Sequence, residues 1–487
     1  MDFDIPEVVL KTAETLENAG FEAYLVGGCV RDLLLDKKPK DWDIATDAPP
    51  EEIQKLFAET FYENAFGTVG VVTGSEEPAE KVVEITPYRK EGEYSDARRP
   101  DTVEFGVSLS EDLKRRDFTL NAIAYRPKTG ELVDEHGGQA DLKKKLLRAV
   151  GEPATRFRED ALRMMRAVRL SAELGFAIEQ KTAEAIFAHA GQLEKISKER
   201  IRDELARTLE TARPLEALFL SQKLGLLTYI APELEEGIGV EQNQAHSFDV
   251  FEHNVRTMQH GADKGWPFIV RLSGLFHDVA KPATRRWSDE KKDWTFHGHE
   301  VVGAKMTKKI LGRLKFPKET IDKAETLVRW HMFFSDPDQI TLSAVRRIIA
   351  HVGKENIQDL LNLRICDRIG TGRPKEQPFR LRKYMSMVDQ ALRDPISVGM
   401  LAVNGNDLME EAGEKPGPRI GWMLHALLEE VLEDPGKNTR EYLLEKARVL
   451  SRMEDTALRE MGEGGKEAKN EAEEAEILEI RKKFHVD

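Results

Sequence analysis

Two aspartates, Asp41 and Asp43, stand one residue apart in the stretch LVGGCVRDLLLDKKPKDWDIAT. Alternate side chains of a β-strand share a face, so both carboxylates would lie on one side and Trp42 on the other. Paired carboxylates bind Mg²⁺ together with substrate phosphates, and two such ions can stabilise both oxygens of an in-line displacement. Gly27 and Gly28 precede the pair and would let the backbone approach a triphosphate closely.

A second set of candidate ligands is rich in histidine and lies in the middle of the chain. Histidine and carboxylate form nitrogen and oxygen sites that suit Ni, Mn, Co, Fe or Zn. The order H…HD…D over about a hundred residues of helical sequence is more specific than a lone histidine, which is usually structural. The candidates are His253, His277, Asp278, His299, His331 and Asp367. Within this set, Asp278 could bridge two metals or orient a water molecule.

The elements that must position these residues change character along the chain. An α+β head is predicted by a helix at 7–19, a second helix from Val30, and strands at 22–26, 42–45, 67–73, 81–88 and 102–107. From about Arg156 the period is helical almost throughout. We therefore expect four domains: a head at 1–150, a helical neck at 151–240, a histidine-containing domain at 241–370, and a helical region with a charged tail at 371–487.

The composition narrows the class of protein. The 487 residues carry a net charge of -14, which argues against broad, non-specific binding of nucleic acid. A basic segment at 143–169 stands out against this and could be a local RNA-binding surface or a solvated helix face. Only Cys29 and Cys366 are present, too few for a disulfide framework or a cysteine zinc site. With no long apolar run and no signal-like N-terminus, we expect a cytoplasmic protein that does not bind membranes.

The complete string G-G-x-V-R-D, followed about ten residues later by D-x-D, resembles the signature of a known family. This is the tRNA nucleotidyltransferase and bacterial poly(A) polymerase family, the class II branch of the polymerase-β-like superfamily. The resemblance implies a mixed-sheet nucleotidyltransferase head, triphosphate contact at Gly27 and Gly28, and catalytic Mg²⁺ at Asp41 and Asp43. Arg31 belongs to the same motif, although a structural ion pair with its neighbour Asp32 would explain it as well.

Two further segments of the head fit this family. Glu84, in the strand-like run VVEITPYR, could be a third carboxylate that acts as base for an incoming hydroxyl, or an ordinary edge-strand glutamate. The string RRDFTLNAIAY matches the motif that holds ribose and phosphate. Its candidate contacts are Arg115, Arg116, Asp117 and Asn121, and Arg166 is a further candidate for nucleotide binding. Asp117 can accept from a 2′-hydroxyl, which distinguishes ribonucleotides from deoxynucleotides.

The segment Glu159-Asp160-Ala161-Leu162-Arg163 could choose the base. Residues three apart on a helix are neighbours, so Asp160 and Arg163 would project together, with Glu159 orienting the arginine. Aspartate only accepts hydrogen bonds and arginine only donates. Cytosine and adenine offer a matching donor and acceptor, whereas uracil and guanine offer the reverse order and would leave buried groups unpaired. A helical array of ion pairs is the alternative.

The segments around the histidines, among them RLSGLFHDVAKPATR, FHGHEVVGAKM and VRWHM, look like an HD-superfamily phosphohydrolase domain. The match implies His253, His277, Asp278 and Asp367 as metal ligands, with Ni²⁺, Mn²⁺, Co²⁺ or Zn²⁺ as candidate ions. His299 and His331 are possible second-metal or phosphate contacts, His297 is an alternative to His299, and Lys281 could contact phosphate. The implied activity is that of a 2′,3′-cyclic phosphodiesterase and phosphatase.

The predicted function is template-independent addition of C, C and A to the tRNA 3′ end from CTP and ATP, with probable hydrolysis at the HD domain. A polar loop at 89–99 and the lack of the family's poly(A)-polymerase string both favour this, by resemblance. The basic helix after Lys143 and the C-terminal helices would grip the acceptor stem. The alternatives are a poly(A) polymerase, an A-only or CC-only enzyme, an HD hydrolase of free nucleotides with a decayed head, and an RNA-binding scaffold. The oligomeric state is left open by the sequence.

Overall fold

The computed structural model describes residues 3–62, 67–92, 103–243, 247–333, 340–392 and 398–463. The first part is an α+β head. It contains α1 (Glu7–Asn18), β1 (Tyr24–Val26), α2 (Gly28–Leu34), β2 (Trp42–Thr46), α3 (Pro50–Leu56), β3 (Thr60–Tyr62), β4 (Val69–Val72), β5 (Val82–Pro87), β6 (Arg89–Glu91), β7 (Val103–Phe105), α4 (Leu109–Lys114), β8 (Ala124–Arg126), β9 (Glu131–Val133), α5 (Gly138–Lys144) and β10 (Leu146–Leu147).

A seven-stranded mixed sheet organises the head in the order β3-β4-β5-β2-β1-β8-β9. Strands β2 and β5 run parallel, and the other pairs of this sheet are antiparallel. Trp42 is only 2% exposed and belongs to the main hydrophobic core, as its predicted position behind the aspartates requires. The strand that carries Asp43 therefore lies at the centre of the sheet, where packing on its apolar face fixes its position.

The predicted strand at 102–107 forms, but it does not join this sheet. It is β7, and it pairs with β6 in a separate two-stranded ladder. The predicted loop at 89–99 therefore begins on β6, and its residues 93–99 lie outside the described part of the chain. The second predicted helix begins at Gly28 rather than Val30, immediately after the turn that contains Gly27.

The remainder is helical with two short strand pairs. The neck contains α6 (Pro153–Glu159), α7 (Leu162–Leu174), β11 (Ala177–Ile178), α8 (Gln180–His189), α9 (Lys198–Glu210), α10 (Pro214–Lys223), α11 (Leu227–Ile230) and α12 (Pro232–Glu235). The histidine region contains α13 (Val250–Asp263), α14 (Phe268–Phe276), α15 (Lys281–Thr284), β12 (Arg286–Ser288), β13 (Asp293–Thr295), α16 (His299–Arg313), α17 (Lys318–Trp330), α18 (Leu342–Val352) and α19 (Ile357–Gly370). The last part contains α20 (Phe379–Ala391), α21 (Gly405–Glu411), α22 (Pro418–Glu433), α23 (Arg440–Leu450) and α24 (Asp455–Glu463).

The histidine region is built around α13, which packs against α14 and α19. Two glycines allow this close approach. A β-carbon on Gly370 of α19 would lie 2.2 Å from Oγ1 of Thr257 on α13, and one on Gly274 of α14 would lie 3.2 Å from the same side chain. The close packing brings the ligand-bearing segments of the three helices together. A separate small core joins the last helices, with Leu408, Leu427 and Leu443 fully buried in it.

The predicted fold class is confirmed, since a mixed-sheet head is followed by helical regions. The prediction of an almost wholly helical remainder missed the hairpin β12–β13, whose cross-strand pairs include Trp287 opposite Trp294. Among the described residues, none of the helices combines the length and the apolar character that a membrane crossing requires. The charged tail lies largely outside the described residues, which end at 463.

Candidate active site and metal centre

The two aspartates of the D-x-D motif face the turn formed by the paired glycines. A β-carbon placed on Gly27 would lie 3.2 Å from Oδ2 of Asp43, and one on Gly28 would lie 3.8 Å from Oδ1 of Asp41. Gly27 has a φ of +79°, a conformation that other residues rarely adopt, and it stands immediately before α2. The structure therefore brings both carboxylates to a backbone turn at a helix start, where phosphate oxygens can be bound.

Glu84 lies beside Asp43 because β5 runs parallel to β2, with these two residues as direct partners across the strands. Side chains that are opposite each other in a ladder point to the same face of the sheet. The strand β5 has neighbours on both sides, so Glu84 is not on an edge strand. Its position fits the predicted third carboxylate, and its role stays a prediction.

A chain of polar contacts joins the glycine turn to the RRDFTLNAIAY segment. Arg31 donates to Oδ1 of Asp32 at 2.8 Å and to Oδ1 of Asn121 at 3.0 Å. Asn121 in turn donates to Oδ1 of Asp117 at 3.2 Å, and Arg166 lies 3.3 Å from the other oxygen of that carboxylate. Arg31 therefore makes the structural ion pair with Asp32 and also orients Asn121, and its predicted nucleotide contact stays a prediction.

Asp117 is ionised at neutral pH. Burial alone would raise the pKa of its carboxyl group, but Arg166 and Arg163 outweigh burial, and the pKa lies below its ordinary value. A carboxylate only accepts hydrogen bonds. Asp117 is thus an acceptor held in place by its neighbours, as contact with a ribose hydroxyl would require.

Asp112 on α4 is a site residue that the sequence did not reveal. It is 1% exposed and accepts from Arg115 at 2.6 Å and from Arg116 at 3.2 Å. Burial raises the pKa of Asp112, but the two arginines outweigh burial and leave that pKa below its ordinary value. One buried carboxylate therefore fixes both arginines of the predicted phosphate-binding motif. The only indication in the sequence was that the two arginines follow Asp112 by three and four residues, which is the spacing of neighbours on a helix.

Replacing Asp112 with asparagine is expected to lower the free energy of unfolding by about 3 kcal/mol, because two partly buried arginines lose their buried counter-charge. The direction in which this stability difference changes with pH follows from the lowered pKa of Asp112. A lowered pKa contributes stability above the unfolded-state value of about 3.9, and this contribution disappears as the pH falls through the folded-state pKa. Melting curves from pH 8 to pH 3 should show a constant difference between wild type and variant that narrows only at the acidic end. An equal difference at every pH would contradict this account.

The expected helical pairing of Asp160 with Arg163 is wrong in one respect. Asp160 is not helical: it ends α6 with a φ of -142° and a ψ of +104°, and α7 begins at Leu162. Its carboxylate accepts from both terminal nitrogens of Arg200, at 3.1 and 2.7 Å. A break between two short helices, rather than a helical face, therefore presents Asp160, and Arg200 of α9 orients it.

Arg163 is held as its spacing predicted. It donates to Oε2 of Glu159 at 2.7 Å and to the backbone carbonyl of Arg115 at 3.1 Å. Because its side chain is buried, these contacts fix the direction of the guanidinium group. Arg163 is thereby tied to the arginine motif of the head, which places the predicted base-choosing segment next to the predicted phosphate-binding segment.

The expectation of one basic helix after Lys143 is wrong. The segment is divided among α5, β10, α6 and α7. Most of its arginines contact acids of this chain, among them Arg148 with Asp141 and Arg169 with Glu204 and Glu173. Three neighbouring lysines remain exposed, namely Lys143, Lys144 and Lys145. The basic surface available for RNA is therefore smaller than the composition indicated.

Four side chains of the histidine region converge on one point. Nε2 of His253 lies 3.0 Å from Nε2 of His277 and 3.1 Å from Oδ2 of Asp278. Oδ1 of Asp367 lies 3.2 Å from the first imidazole and 3.6 Å from the second. All four side chains are buried, and their ligand atoms lie within 4.8 Å of one another. Two imidazoles and two carboxylates in this arrangement suit one divalent transition metal.

A second group shares Asp278 with the first. Oδ1 of this carboxylate lies 3.2 Å from Nε2 of His299 and 3.5 Å from Nε2 of His331, while Oδ2 faces the first group. Asp278 is thus placed to bridge two ions. Of the two alternative ligands, His299 belongs to the buried group, whereas His297 is exposed and lines the adjacent cavity.

Backbone carbonyls orient three of these imidazoles. Each accepts from Nδ1, so that Nε2 is the nitrogen left for a ligand. The contacts are His277 to Gly274 at 2.9 Å, His299 to Phe296 at 2.6 Å and His331 to Val328 at 2.7 Å. In each case the carbonyl lies three residues earlier in the chain, so local backbone geometry sets the direction of the ring.

The proton states of His277 and His331 differ. Burial would lower the pKa of His277, but Asp278 and Asp367 outweigh burial and raise it to about 9. Burial lowers the pKa of His331 to about 4, so this imidazole is neutral at physiological pH. Neutral imidazole and carboxylate are the ligand forms that metals require. His331 has this form already, whereas His277 must lose a proton to bind a metal.

Buried atoms at the second group support metal binding independently of the motif. Oδ1 of Asp278 and Nε2 of both His299 and His331 are buried and have no hydrogen-bond partner among the described residues. Buried polar atoms without a hydrogen-bond partner cost folding free energy. A cation bound by all three atoms would explain why they converge. Lys281 lies 2.6 Å from Oδ2 of Asp278, so it contacts the shared carboxylate. Its predicted phosphate contact stays a prediction.

Three parts of the chain match models of known families. The poly A polymerase head domain matches residues 23–148, the "probable RNA and SrmB-binding site of polymerase A" matches 175–238, and tRNA nucleotidyltransferase domain 2 matches 285–447. The CCA-adding enzyme of Geobacillus thermodenitrificans is 34% identical over 89% of this chain and 95% of its own length. This chain belongs to the class II tRNA nucleotidyltransferase family. The predicted family and enzyme class are confirmed.

Two other relatives of this nucleotidyltransferase bear on its specificity. The A-adding tRNA nucleotidyltransferase of Deinococcus radiodurans is 35% identical over 84% of the chain and 91% of its own length. The crystal structure of the Bacillus stearothermophilus CCA-adding enzyme in complex with CTP has a TM-score of 0.65 at 29% identity, covering 91% of this chain and 99% of its own. The family thus includes enzymes with complete and with partial addition.

Proposed function

We propose that this nucleotidyltransferase adds C, C and A in order to tRNA 3′ ends, using CTP and ATP. The observation that supports this proposal most directly is that Asp41 and Asp43 face the turn of Gly27 and Gly28, with Glu84 beside Asp43. Relatives named CCA-adding enzymes match the chain over nearly their whole length. The proposal assigns transfer to 1–150, base choice to 151–240, hydrolysis to 241–370 and acceptor-stem binding to 371–487, in a cytoplasmic protein.

In the proposed reaction the tRNA 3′-hydroxyl oxygen attacks the α-phosphorus of the nucleotide. The bond to the bridging oxygen of the β-phosphate breaks, and pyrophosphate leaves. Asp41 and Asp43 would hold Mg²⁺, which supplies charge stabilisation for the attacking and leaving oxygens. Glu84 is the base that accepts the hydroxyl proton. Arg115 and Arg116, anchored by Asp112, bind the phosphates of the nucleotide.

Base choice follows from the two groups that end α6 and begin α7. Oδ1 of Asp160 accepts from Arg200 and from the backbone N–H of Leu162, whereas Oδ2 accepts from Arg200 and keeps a lone pair for the amino group of cytosine or adenine. Arg163, oriented by Glu159, donates to the neighbouring ring nitrogen. Uracil and guanine present the opposite order, so both contacts would be lost.

Replacing Asp160 with alanine is expected to lower the ratio of kcat/KM for CTP and ATP over UTP and GTP by about 100-fold, because the acceptor is removed. Arg200→Gln should lower the same ratio by about 10-fold, since Asp160 keeps its charge but loses its orientation. Glu199→Gln, at an exposed neighbouring position, is the matched control. Steady-state incorporation on tRNA that lacks C-C-A measures the ratio. Unchanged selectivity in Asp160→Ala would exclude Asp160 from base choice.

The direct test of the proposal supplies nucleotides one at a time to tRNA that ends just before C-C-A. CTP alone should give two additions, ATP alone none, and the mixture three. An A-adding enzyme would extend only tRNA that already ends in C-C. A poly(A) polymerase would add long runs from ATP alone.

A second function, metal-dependent hydrolysis of phosphoesters, is favoured by the buried histidine and aspartate groups that share Asp278. His253, His277 and Asp367 would hold one divalent ion, such as Ni²⁺, Mn²⁺, Co²⁺ or Zn²⁺, and the ion supplies water activation when bound. In this reaction a water oxygen attacks phosphorus, the phosphorus–ribose oxygen bond breaks, and the leaving oxygen takes a proton. Lys281, which pairs with Asp278 and lines the adjacent cavity, is the proposed phosphate contact and would act as a point charge.

A further inference from the structure

One face of the head sheet carries a row of residues that runs from Asp43 to the edge of the sheet. Asp43 of β2 is paired with Glu84 of β5, which is paired in turn with Gly70 of β4. The last member of the row is Phe61 of β3, the partner of Gly70. Direct partners on neighbouring strands point to the same face of a sheet. Phe61 therefore lies on the same face as the two carboxylates, at the end of their row.

The opposite face of these strands belongs to the main core. Val69 and Ile85 are direct partners there, and both are fully buried. Tyr62 is the partner of Val69 on the edge strand β3. Since successive residues of a strand face opposite ways, Tyr62 is on the core face while its neighbour Phe61 is on the face of the carboxylates. The two exposed aromatic residues of β3 thus differ in the face that they occupy.

The ring of Phe61 lies over Gly70. A β-carbon on Gly70 would lie 2.8 Å from both Cε atoms of this ring, which is closer than real side chains approach. The missing side chain thus lets the ring lean from the edge strand across β4, in the direction of Glu84. Neighbouring strands are about 4.8 Å apart, so the ring is one strand away from this carboxylate. Phe61 is 43% exposed, and its ring therefore offers an apolar surface to solvent on the face of Glu84.

The position of the ring relative to the proposed nucleotide contacts indicates what it binds. In the sheet order β3-β4-β5-β2-β1-β8-β9, the Gly27 turn follows β1, and the segment with Arg115 and Asn121 precedes β8. These contacts are on one side of β2, and Phe61 is on the other. In an in-line displacement the attacking and leaving oxygens lie on opposite sides of phosphorus. With the triphosphate at the glycine turn, the attacking RNA 3′ end approaches from the side of Glu84 and Phe61.

We propose that the Phe61 ring, lying over Gly70, stacks on the last base of the RNA whose 3′-hydroxyl is extended. This rests on the proposed transferase function and deepens it by naming a contact for the RNA end. An aromatic ring can stack on any base, so it suits a 3′ end whose last base changes from one addition to the next. The stacked base holds its ribose so that the 3′-hydroxyl lies beside Glu84.

A purely structural role for Phe61 makes a different prediction. An aromatic ring that covers a glycine can stabilise a strand pair at the edge of a sheet, and loss of this cover would weaken the binding of every RNA equally. Stacking instead couples Phe61 to the last base alone. Removing the ring and the base singly and together separates the two roles, because groups in direct contact have non-additive effects.

The test uses the full chain and 5′-labelled tRNA that ends just before C-C-A, with either adenine or no base on its last ribose. Binding is followed by fluorescence anisotropy, and CTP incorporation by initial rates. Wild type should bind the tRNA with adenine about 10-fold more tightly than the abasic tRNA. In Phe61→Leu, which keeps an apolar cover on Gly70, this difference should disappear. The KM for CTP should not change, because the nucleotide contacts lie on the other side of β2.

Two further variants complete the test. Phe61→Tyr, which keeps a ring, should retain the difference, and Tyr62→Leu, at a 49% exposed position on the opposite face, is the matched control. The stacking proposal is overturned if wild type binds both tRNAs equally, if Phe61→Leu preserves the difference, or if Tyr62→Leu also abolishes it. If CTP is not incorporated but binding still shows a difference that depends on Phe61, the transferase proposal fails and the stacking contact stands.

Discussion

Replacing Asp43 with asparagine is expected to reduce nucleotide addition about 10³-fold or more, equivalent to at least ~4 kcal/mol of transition-state stabilisation. The reason is that Asp43 faces the Gly27 turn and stands beside Glu84, so it joins the predicted phosphate and metal contacts. An amide of the same shape keeps the packing but removes the charge that a divalent ion requires. Initial rates of CTP incorporation onto tRNA measure the effect.

The control for this variant uses the other site of the same chain. Hydrolysis of p-nitrophenyl phosphate should be the same in Asp43→Asn and wild type, because Asp43 lies in the head, whereas the candidate ligands of the histidine region lie in separate helices. Glu51→Gln, an exposed acid on α3, should leave both reactions unchanged. If Asp43→Asn added nucleotides at a rate close to that of wild type, the D-x-D motif would not be the catalytic metal site.

Replacing Asp278 with alanine is expected to abolish binding of both proposed metal ions in the histidine region and to lower the proposed phosphoester hydrolysis about 10³-fold or more. The prediction follows from geometry, since Oδ2 of this carboxylate faces His253 and His277 while Oδ1 faces His299 and His331. Loss of the shared ligand weakens both groups at once. Elemental analysis of the purified variant and rates of p-nitrophenyl phosphate hydrolysis give independent readouts.

A single-group variant provides the comparison. His331→Gln should lower the metal content from two ions to one, because it contributes to the second group alone. CTP incorporation should be unaffected in both variants, since neither residue lies in the head. A metal content of one ion in wild type, or of one retained in Asp278→Ala, would contradict the bridged arrangement.

Much of the architecture could be predicted from the sequence because local patterns specify it. Alternation places Asp43 on the opposite side from Trp42, and burial of the tryptophan fixes that orientation. The order of histidines and aspartates predicted one set of metal ligands, with His299 and His331 as second-metal or phosphate contacts, and the packing of α13 against α14 and α19 brings the ligand set together. In these cases the candidate metal ligands are themselves members of the sequence pattern that predicted them.

Contacts between distant segments could not be predicted in the same way. The pairing of Arg200 with Asp160 joins residues forty apart, and nothing in either local sequence indicates it. In the sequence the helical period extends through Asp160. In the structure the helix is interrupted at this residue, between α6 and α7. The hairpin that carries Trp287 interrupts a helical region with two strands of three residues each, too short for a clear alternation.

The central claim is tested most directly by sequencing the 3′ ends of tRNA after reaction with wild-type protein and all four nucleoside triphosphates. The starting tRNA ends just before C-C-A. The account predicts that the products end in C-C-A and grow no further, because the proposed base contacts of Asp160 and Arg163 fit cytosine and adenine only and relatives of the chain are CCA-adding enzymes. Starting tRNA left unextended, products that stop at C-C, products with runs of A, or products with U or G incorporated would contradict it.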